Sequence, residues 1–172
     1  NPAVLYVANS NWQQLFRSDD GGAHWRNISE NRMPSTPTAL GFQGNWIEVD
    51  PHDENTVYTC NSVHIFKTTD GGKSWAETTS RAGAISGTWQ GRGYSGYVPT
   101  QVKWNPYQPK QLVLMAMDDG KFMTSDDMKN WRMHGPSLEN WGGGVDVSFA
   151  ADGHTLVAAF GQEGWKQEVA TS

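Results

Sequence analysis

The stretch that decides the fold is RSDDGGAHW, Arg17 to Trp25, because it returns as KTTDGGKSW, Lys67 to Trp75. A third and more divergent copy, TSDDMKNW, runs from Thr124 to Trp131. The shared frame is a serine or threonine, an aspartate two residues later, a glycine two residues after that, and a tryptophan three residues further on. The frame is filled by Ser18, Asp20, Gly22 and Trp25, by Thr68, Asp70, Gly72 and Trp75, and by Thr124, Asp126 and Trp131, with Met128 replacing the third glycine.

The chemistry of the repeat predicts a tight turn between two strands. An Asp-Gly-Gly sequence favours a hairpin, since glycine accepts positive φ angles. The aspartate and the hydroxyl side chain can hydrogen-bond backbone groups inside the turn, and the tryptophan is expected to cover the turn and pack into the sheet. The tryptophans are 50 and 56 residues apart, a period typical of propellers or solenoids. We therefore expect the repeated residues to have a structural role.

The repeat resembles the Asp-box, also called the BNR repeat. That motif occurs in sialidases, in xyloglucan-cleaving hydrolases of glycoside hydrolase family 74, in sortilin-type receptors and in a photosystem assembly factor, all of which are β-propellers. The resemblance implies that each box is the turn between the third and fourth strands of a blade, on the face opposite the ligand. It also implies an extracellular or periplasmic location.

Alternating apolar residues and turn signals divide the chain into blades. We predict an all-β propeller domain of four-stranded antiparallel blades with essentially no helix. Asp50 is expected to cap the turn after a blade's first strand. The predicted blade pieces cover 1–30, 46–80, 100–134 and 144–172, with three, four, four and two strands, about three and a quarter blades. A closed propeller has roughly four to eight blades, so we expect the remaining blades to come from the same polypeptide or from partner chains.

Composition excludes several functions. The net charge is −5, and the chain has neither the basic patch typical of nucleic-acid binding nor an apolar run long enough to span a membrane. The five histidines lack metal-ligand spacing and the one cysteine, Cys60, is expected to be buried and inert. We therefore predict no metal, no cofactor, no nucleic-acid partner and no membrane span.

The predicted ligand face is rich in aromatic and amide side chains. It is assembled from blade connections at 29–45, 80–99 and 134–144 and from loops at 9–14, 117–120 and 161–172. Flat rings stack on sugar rings, while amides and guanidinium groups bind hydroxyls, which predicts a groove for a polysaccharide or glycan. The alternative is that the rings pack between the blades. The predicted ligand-binding residues are Trp12, Trp89, Gln90, Arg92, Tyr94, Tyr97, Trp141 and Trp165.

Hydrolysis of a glycan would need two carboxyl groups at catalytic separation. The stretch 96–126 is similar to the repeat of family 74 xyloglucanases, and this resemblance implies that Asp118 is catalytic, although the flanking Arg-Thr of that family is absent. Two functions stay open: a carbohydrate-active propeller with endo-glycosidase activity, and a non-catalytic interaction or structural propeller of the sortilin or assembly-factor type. The carboxylates expected on the ligand face are Glu30, Asp118, Asp119, Glu139, Asp146, Glu163 and Glu168.

Overall fold

The regular structure of the chain is β-sheet. The computed structural model describes residues 1–9, 14–29, 46–60, 64–92, 99–116, 122–125, 130–134, 142–162 and 167–171. These residues form sixteen strands and contain no helix. The chain divides into two compact units, residues 1–78 and 79–172.

The first unit holds two sheets, each an antiparallel meander in chain order. Blade I is the three-stranded sheet β1–β2–β3 and blade II the four-stranded sheet β4–β5–β6–β7. Their apolar faces share one core, in which Leu15 and Ile28 of blade I meet Val57 and Trp75 of blade II. The strands are β1 Leu5–Asn9, β2 Gln14–Ser18, β3 Arg26–Asn27, β4 Ile47–Asp50, β5 Asp53–Cys60, β6 Ile65–Thr68 and β7 Ala76–Glu77.

The second unit holds a hairpin and two larger sheets. The hairpin is β8–β9, blade III is β10–β11–β12–β13 and blade IV is β14–β15–β16, and all neighbouring strands are antiparallel. Val113 and Met115 of blade III pack with Val147 and Ala158 of blade IV. The strands are β8 Ser80–Ala82, β9 Trp89–Gly91, β10 Pro99–Trp104, β11 Leu112–Ala116, β12 Phe122–Ser125, β13 Arg132–His134, β14 Gly142–Phe149, β15 Leu156–Gln162 and β16 Gln167–Thr171.

These sheets confirm the all-β prediction for the described residues. The turn after the first strand of a blade also forms as expected, since Asp50 Oδ1 accepts a hydrogen bond of 2.8 Å from the His52 backbone N–H. In blade III the corresponding Asn105 Oδ1 accepts one of 3.0 Å from Tyr107 N–H. Cys60 is buried as predicted, and burial raises the pKa of its thiol.

Two predictions about the strands are wrong. The last blade piece has three strands rather than two, because β16 pairs with β15 from Val157↔Thr171 to Gly161↔Gln167. Three of the five residues of its sequence, QEVAT, are polar, so the composition of this segment did not indicate a strand. The segment 80–99, predicted as a connection between blades, contains two strands, since β8 and β9 form a hairpin closed by the Gly83 N–H to Thr88 carbonyl hydrogen bond of 2.8 Å. Both of its strands have only three residues and few apolar side chains.

Candidate functional site

The first repeated turn, box I (residues 18–25), is held by its own side chains. Ser18 Oγ donates to Asp20 Oδ1 at 2.8 Å and accepts from the Gly22 N–H at 2.9 Å. Asp20 Oδ1 also accepts from the His24 N–H at 2.9 Å. This backbone donor, with further hydrogen bonds from the His24 ring and Ser18, lowers the pKa of Asp20 to about 2.

Box II (residues 68–75) repeats the same bonds. Thr68 Oγ1 donates to Asp70 Oδ1 at 2.7 Å and accepts from the Gly72 N–H at 2.9 Å, and Asp70 accepts from the Ser74 N–H at 2.9 Å. Partial desolvation raises the pKa of Asp70, but hydrogen bonds from Ser74, Thr68 and Lys73 outweigh it and lower the pKa to about 2. The glycines have φ angles of 98° at Gly22 and 85° at Gly72, which explains why both turns use glycine.

The box tryptophans lie in different surroundings. Trp75 is 5% exposed and its indole N–H donates to the Ile28 carbonyl of blade I at 2.9 Å. Trp131 is also buried, as expected. Trp25 departs from the expectation: it is 43% exposed, and its indole N–H donates to Gly22 O of its own turn at 2.9 Å. Trp25 therefore covers its turn without being buried in a core. In the third copy of the repeat, Thr124 to Trp131, Thr124 Oγ1 lies 2.8 Å from His134 Nε2, and Asp126 lies outside the described residues.

Sequence reasoning missed a buried arginine that connects the two blades of the first unit. Arg17, directly before box I, is buried and donates from Nη1 to Tyr6 Oη at 2.6 Å and to Asn55 Oδ1 at 2.8 Å. Its Nε donates to Asp19 at 2.7 Å, and this lowers the pKa of Asp19. A Cβ atom placed on Gly71 would lie 1.9 Å from Arg17 Nη1, so glycine makes room for the guanidinium. In the sequence, Arg17 is a cation in a predicted strand directly before an acidic turn, and this pattern does not indicate that the side chain is buried.

The hairpin β8–β9 is a described part of the predicted ligand surface and contains Trp89 and Gln90. Gln90 and Arg81 are exposed neighbours on the paired strands, and Arg81 Nε donates to Gln90 Oε1 at 3.2 Å. Trp89 pairs with Ala82 in the same ladder. Arg92 closes the base of the hairpin, since its Nε donates to Ser80 O at 3.0 Å and its backbone carbonyl accepts from Trp131 N–H at 3.1 Å. Arg92 as a hydroxyl-binding residue stays a prediction.

The remaining predicted site residues are not brought together by the described part of the chain. Of the ligand-face carboxylates, Asp146 is paired with the Lys103 ammonium group, which together with the Val147 N–H lowers the pKa of Asp146. A carboxyl group ionised in this way is poorly suited to act as a general acid. Glu168 stands on strand β16. The residues outside the described ranges are Trp12, Tyr94, Tyr97, Trp141, Trp165, Asp118, Glu30, Asp119, Glu139 and Glu163.

The described ranges lack two further classes of feature, a metal-ion site and a membrane-spanning helix. They contain no group of three or more histidine, cysteine, aspartate or glutamate side chains placed to hold a metal ion. They also contain no helix that is long and apolar enough to cross a membrane.

Comparison with solved structures identifies the fold. An ancestral enzyme of glycoside hydrolase family 74 matches 100% of this chain and 29% of its own, with 14% identity and a TM-score of 0.52. A protein from Lactobacillus plantarum matches 99% of this chain and 50% of its own, with 11% identity and a TM-score of 0.59. The α-L-arabinofuranosidase of Fusarium graminearum, in complex with an iminosugar inhibitor, matches 92% and 52%, with 14% identity and a TM-score of 0.50.

These likenesses and the blade-like meanders define the chain as an all-β protein with the fold of a β-propeller. The chain spans between about a third and a half of the length of those structures. No protein-family model and no curated protein sequence matches it. At these identities the likeness concerns the fold, and one fold can carry many unrelated functions.

Proposed function

We propose that this protein is a carbohydrate-active propeller that binds a polysaccharide or glycan on a surface including the hairpin β8–β9. The observation that carries the proposal is the exposed Arg81–Gln90 pair, joined by a hydrogen bond of 3.2 Å, with Trp89 next in the same strand. The pair holds a planar guanidinium and a planar amide side by side in a short ladder. Sugar hydroxyl groups both donate and accept hydrogen bonds, so they suit such a pair.

The pairing of strands β8 and β9 fixes which residues lie opposite each other on this surface. Arg81 pairs with Gln90, and Ala82 pairs with Trp89. Arg92 fixes the base of the hairpin through the Ser80 carbonyl and the Thr79 carbonyl, at 3.0 and 2.9 Å. A ligand that contacts the hairpin would therefore meet side chains held by backbone pairing rather than by a freely moving loop. Such preorganisation lowers the entropy lost on binding.

Binding to a panel of soluble glycans, including xyloglucan, mixed-linkage β-glucan and arabinan oligosaccharides, tests the proposal. Calorimetric titration of Trp89→Ala and Gln90→Ala should show affinity lowered about fivefold or more relative to the unchanged chain, because each loses a stacking or hydrogen-bonding group. Tyr107→Ala is the matched control: Tyr107 is 51% exposed and lies in the turn after β10, outside the hairpin. Equal losses in all three variants, or no binding by the unchanged chain, would contradict the proposal.

The proposal includes hydrolysis of the bound glycan. The resemblance of 96–126 to the xyloglucanase repeat names Asp118 as the catalytic carboxylate. Release of reducing sugar should then fall about a hundredfold or more in Asp118→Asn, since an amide cannot exchange the proton. Glycan binding should be retained in the same variant. Unchanged hydrolysis would remove Asp118 from the chemistry, and a glycan substrate of this kind favours an extracellular or periplasmic location.

A protein partner is the second candidate function, and one observation favours it. Ile85, at the tip of the hairpin, is 72% exposed. An exposed aliphatic side chain has no polar group for sugar hydroxyls and suits an apolar contact with a protein surface. In this case the protein would be a non-catalytic interaction propeller of the sortilin or assembly-factor type. Glycan binding by the unchanged chain separates the two functions, since no glycan should bind if only the second holds. If the first holds, Ile85→Ser should leave the glycan affinity unchanged.

A further inference from the structure

The charged side chains of the chain are distributed unevenly. Residues 78–117 contain Arg81, Arg92, Lys103 and Lys110 and no aspartate or glutamate, although the whole chain has 13 lysines and arginines against 18 aspartates and glutamates. A polypeptide with a net charge of −5 therefore contains a cationic stretch, and the hairpin β8–β9 lies within it. A local excess of one sign of charge attracts ligands of the opposite sign.

Two of these cations lie on the same face of the hairpin. Arg81 of β8 stands opposite Gln90 of β9, and directly opposite residues of an antiparallel pair share a face. Arg92 comes two positions after Gln90, and side chains two positions apart along a strand also share a face. The hydrogen bonding of the ladder continues to Arg92, since its backbone N–H donates to the Thr79 carbonyl at 2.9 Å. The face made by Arg81, Gln90 and Arg92 is here named the arginine face.

Both guanidinium groups of the arginine face are oriented through their Nε atoms. Arg81 Nε donates to Gln90 Oε1 at 3.2 Å, and Arg92 Nε donates to the Ser80 carbonyl at 3.0 Å. Among the described residues these bonds leave the terminal Nη groups for another acceptor. Arg81 is exposed and Arg92 is half-buried. Two parallel N–H donors of one guanidinium match the two oxygens of a carboxylate, so each side chain is prepared for such a group.

No carboxylate of the described ranges forms an ion pair with either arginine of this face. The cations Arg17, Arg26 and Lys103, by contrast, each pair with an aspartate. Like charges that share one face of a sheet destabilise it. An anion bound between or beside the two guanidinium groups would relieve this repulsion, so the arginine face favours an anionic ligand over a neutral one.

We propose that the arginine face binds the carboxylate groups of an acidic polysaccharide, one that carries uronic acid units. This inference rests on the proposed glycan-binding function and narrows its substrate class from glycans in general to anionic ones. Arg81 would bind a carboxylate through its Nη groups, and Gln90, whose oxygen accepts from Arg81, would donate its amide N–H groups to a neighbouring hydroxyl. Arg81 is then the residue that determines specificity, because it is exposed and its guanidinium is held by Gln90.

A matched pair of oligosaccharides tests the inference. Oligogalacturonate and its fully methyl-esterified form have the same sugar backbone and differ in charge. In calorimetric titrations of the unchanged chain, the acidic form should bind about tenfold or more tightly than the ester, and raising NaCl from about 20 to about 200 mM should remove most of this difference. Arg81→Gln should lower the affinity for the acidic form about tenfold and should change the affinity for the ester by less than about twofold, because glutamine keeps hydrogen-bonding groups but has no charge.

Lys110→Gln is the matched control, because it removes the same charge from an exposed side chain in the turn between β10 and β11, outside the hairpin. It should leave both affinities within about twofold of the unchanged chain. Arg81→Lys keeps the charge but not the planar fork, so it should retain only part of the preference for the acidic form.

The outcomes separate this inference from the function on which it rests. Equal affinities for the acid and the ester would overturn the inference and leave glycan binding intact, whereas no binding of either would remove both. Equal losses in Arg81→Gln and Lys110→Gln would also overturn it. Dextran sulfate or single-stranded DNA that bound as tightly as oligogalacturonate would do the same, since the surface would then attract polyanions in general.

Discussion

Box I and box II are two copies of one turn in two surroundings. Each has the hydroxyl that donates to the aspartate, the glycine N–H that donates to the hydroxyl, and a glycine at positive φ. The two copies differ in the surroundings of the tryptophan. Trp75 is buried against Ile28, whereas Trp25 lies over its own turn and is 43% exposed. The two copies therefore share the geometry of the turn and differ in the burial and hydrogen-bond partner of the tryptophan.

This difference separates two roles within one motif. The serine or threonine, the aspartate and the glycine satisfy backbone groups that the tight turn would otherwise leave without partners. In box II the tryptophan joins two blades, since the Trp75 indole N–H donates to the Ile28 carbonyl of blade I. Paired substitutions in the two boxes can test this division, because each change in box I has a matched change in box II.

The largest difference is expected at the tryptophans. Trp75→Ala should reduce the free energy of unfolding by about 3–5 kcal/mol, because it leaves a cavity and an unpaired Ile28 carbonyl. Trp25→Ala should cost about 1 kcal/mol or less, since much of the ring is already in water. Urea unfolding of both variants, followed by circular dichroism, measures the two values. Equal losses would mean that the tryptophan acts within its own turn and not between blades.

The box glycines should show a smaller difference in the same direction. Both have positive φ, so alanine at Gly22 should cost about 1–2 kcal/mol from backbone strain alone. Alanine at Gly72 should cost about 2–4 kcal/mol, because its methyl group would also collide with Ile28 at 2.6 Å. Thermal unfolding of the two variants gives the comparison. If Gly22→Ala were the more damaging change, the packing of Ile28 on Gly72 would be unimportant.

The sequence predicts the local parts of this fold better than the long-range ones. The box residues, the Asp50 turn and the alternation of the blade strands all depend on neighbours within a few positions, and the structure bears out the all-β reading. The sequence did not indicate the hairpin β8–β9 or the strand β16, because these strands are short and contain few apolar residues in alternation. They form because each pairs with a neighbouring strand. The burial of Arg17 was missed because it depends on Asn55, thirty-eight positions away.

The candidate site shows the same division. Sequence places Gln90 and Trp89 in a blade connection, and the ladder then adds Arg81 as the partner of Gln90, which no local pattern indicated. Asp146 was expected among the ligand-face carboxylates, but its partner Lys103 lies in another sheet, so its ion pair is a property of the tertiary structure. Trp25 is 43% exposed although its box has the same residue pattern as box II, so the repeat motif alone does not determine whether its tryptophan is buried.

The aspartates should behave alike in the two boxes. The pKa values of Asp20 and Asp70 are lowered from 3.8 to about 2 in the folded chain. A lowered folded-state pKa stabilises the fold above the unfolded-state pKa, and this contribution is lost as the pH falls from about 4 towards 2. Asp20→Asn and Asp70→Asn should each reduce the dependence of the urea midpoint on pH in this window, by similar amounts. A reduction in only one variant would show that the turn chemistry depends on burial of its tryptophan.

The smallest effect is expected where the two boxes differ in side chain but not in geometry. Asp70 Oδ2 accepts a hydrogen bond from Ser74 Oγ at 2.6 Å, and in box I His24 Nδ1 lies 2.6 Å from Asp20 Oδ2. His24 is almost fully exposed, so its contact with the aspartate is screened by water. His24→Ser should therefore change the free energy of unfolding by about 0.5 kcal/mol or less. A larger loss would mean that the imidazole ring, and not the turn, holds Asp20. The two boxes would then differ in more than the burial of their tryptophans.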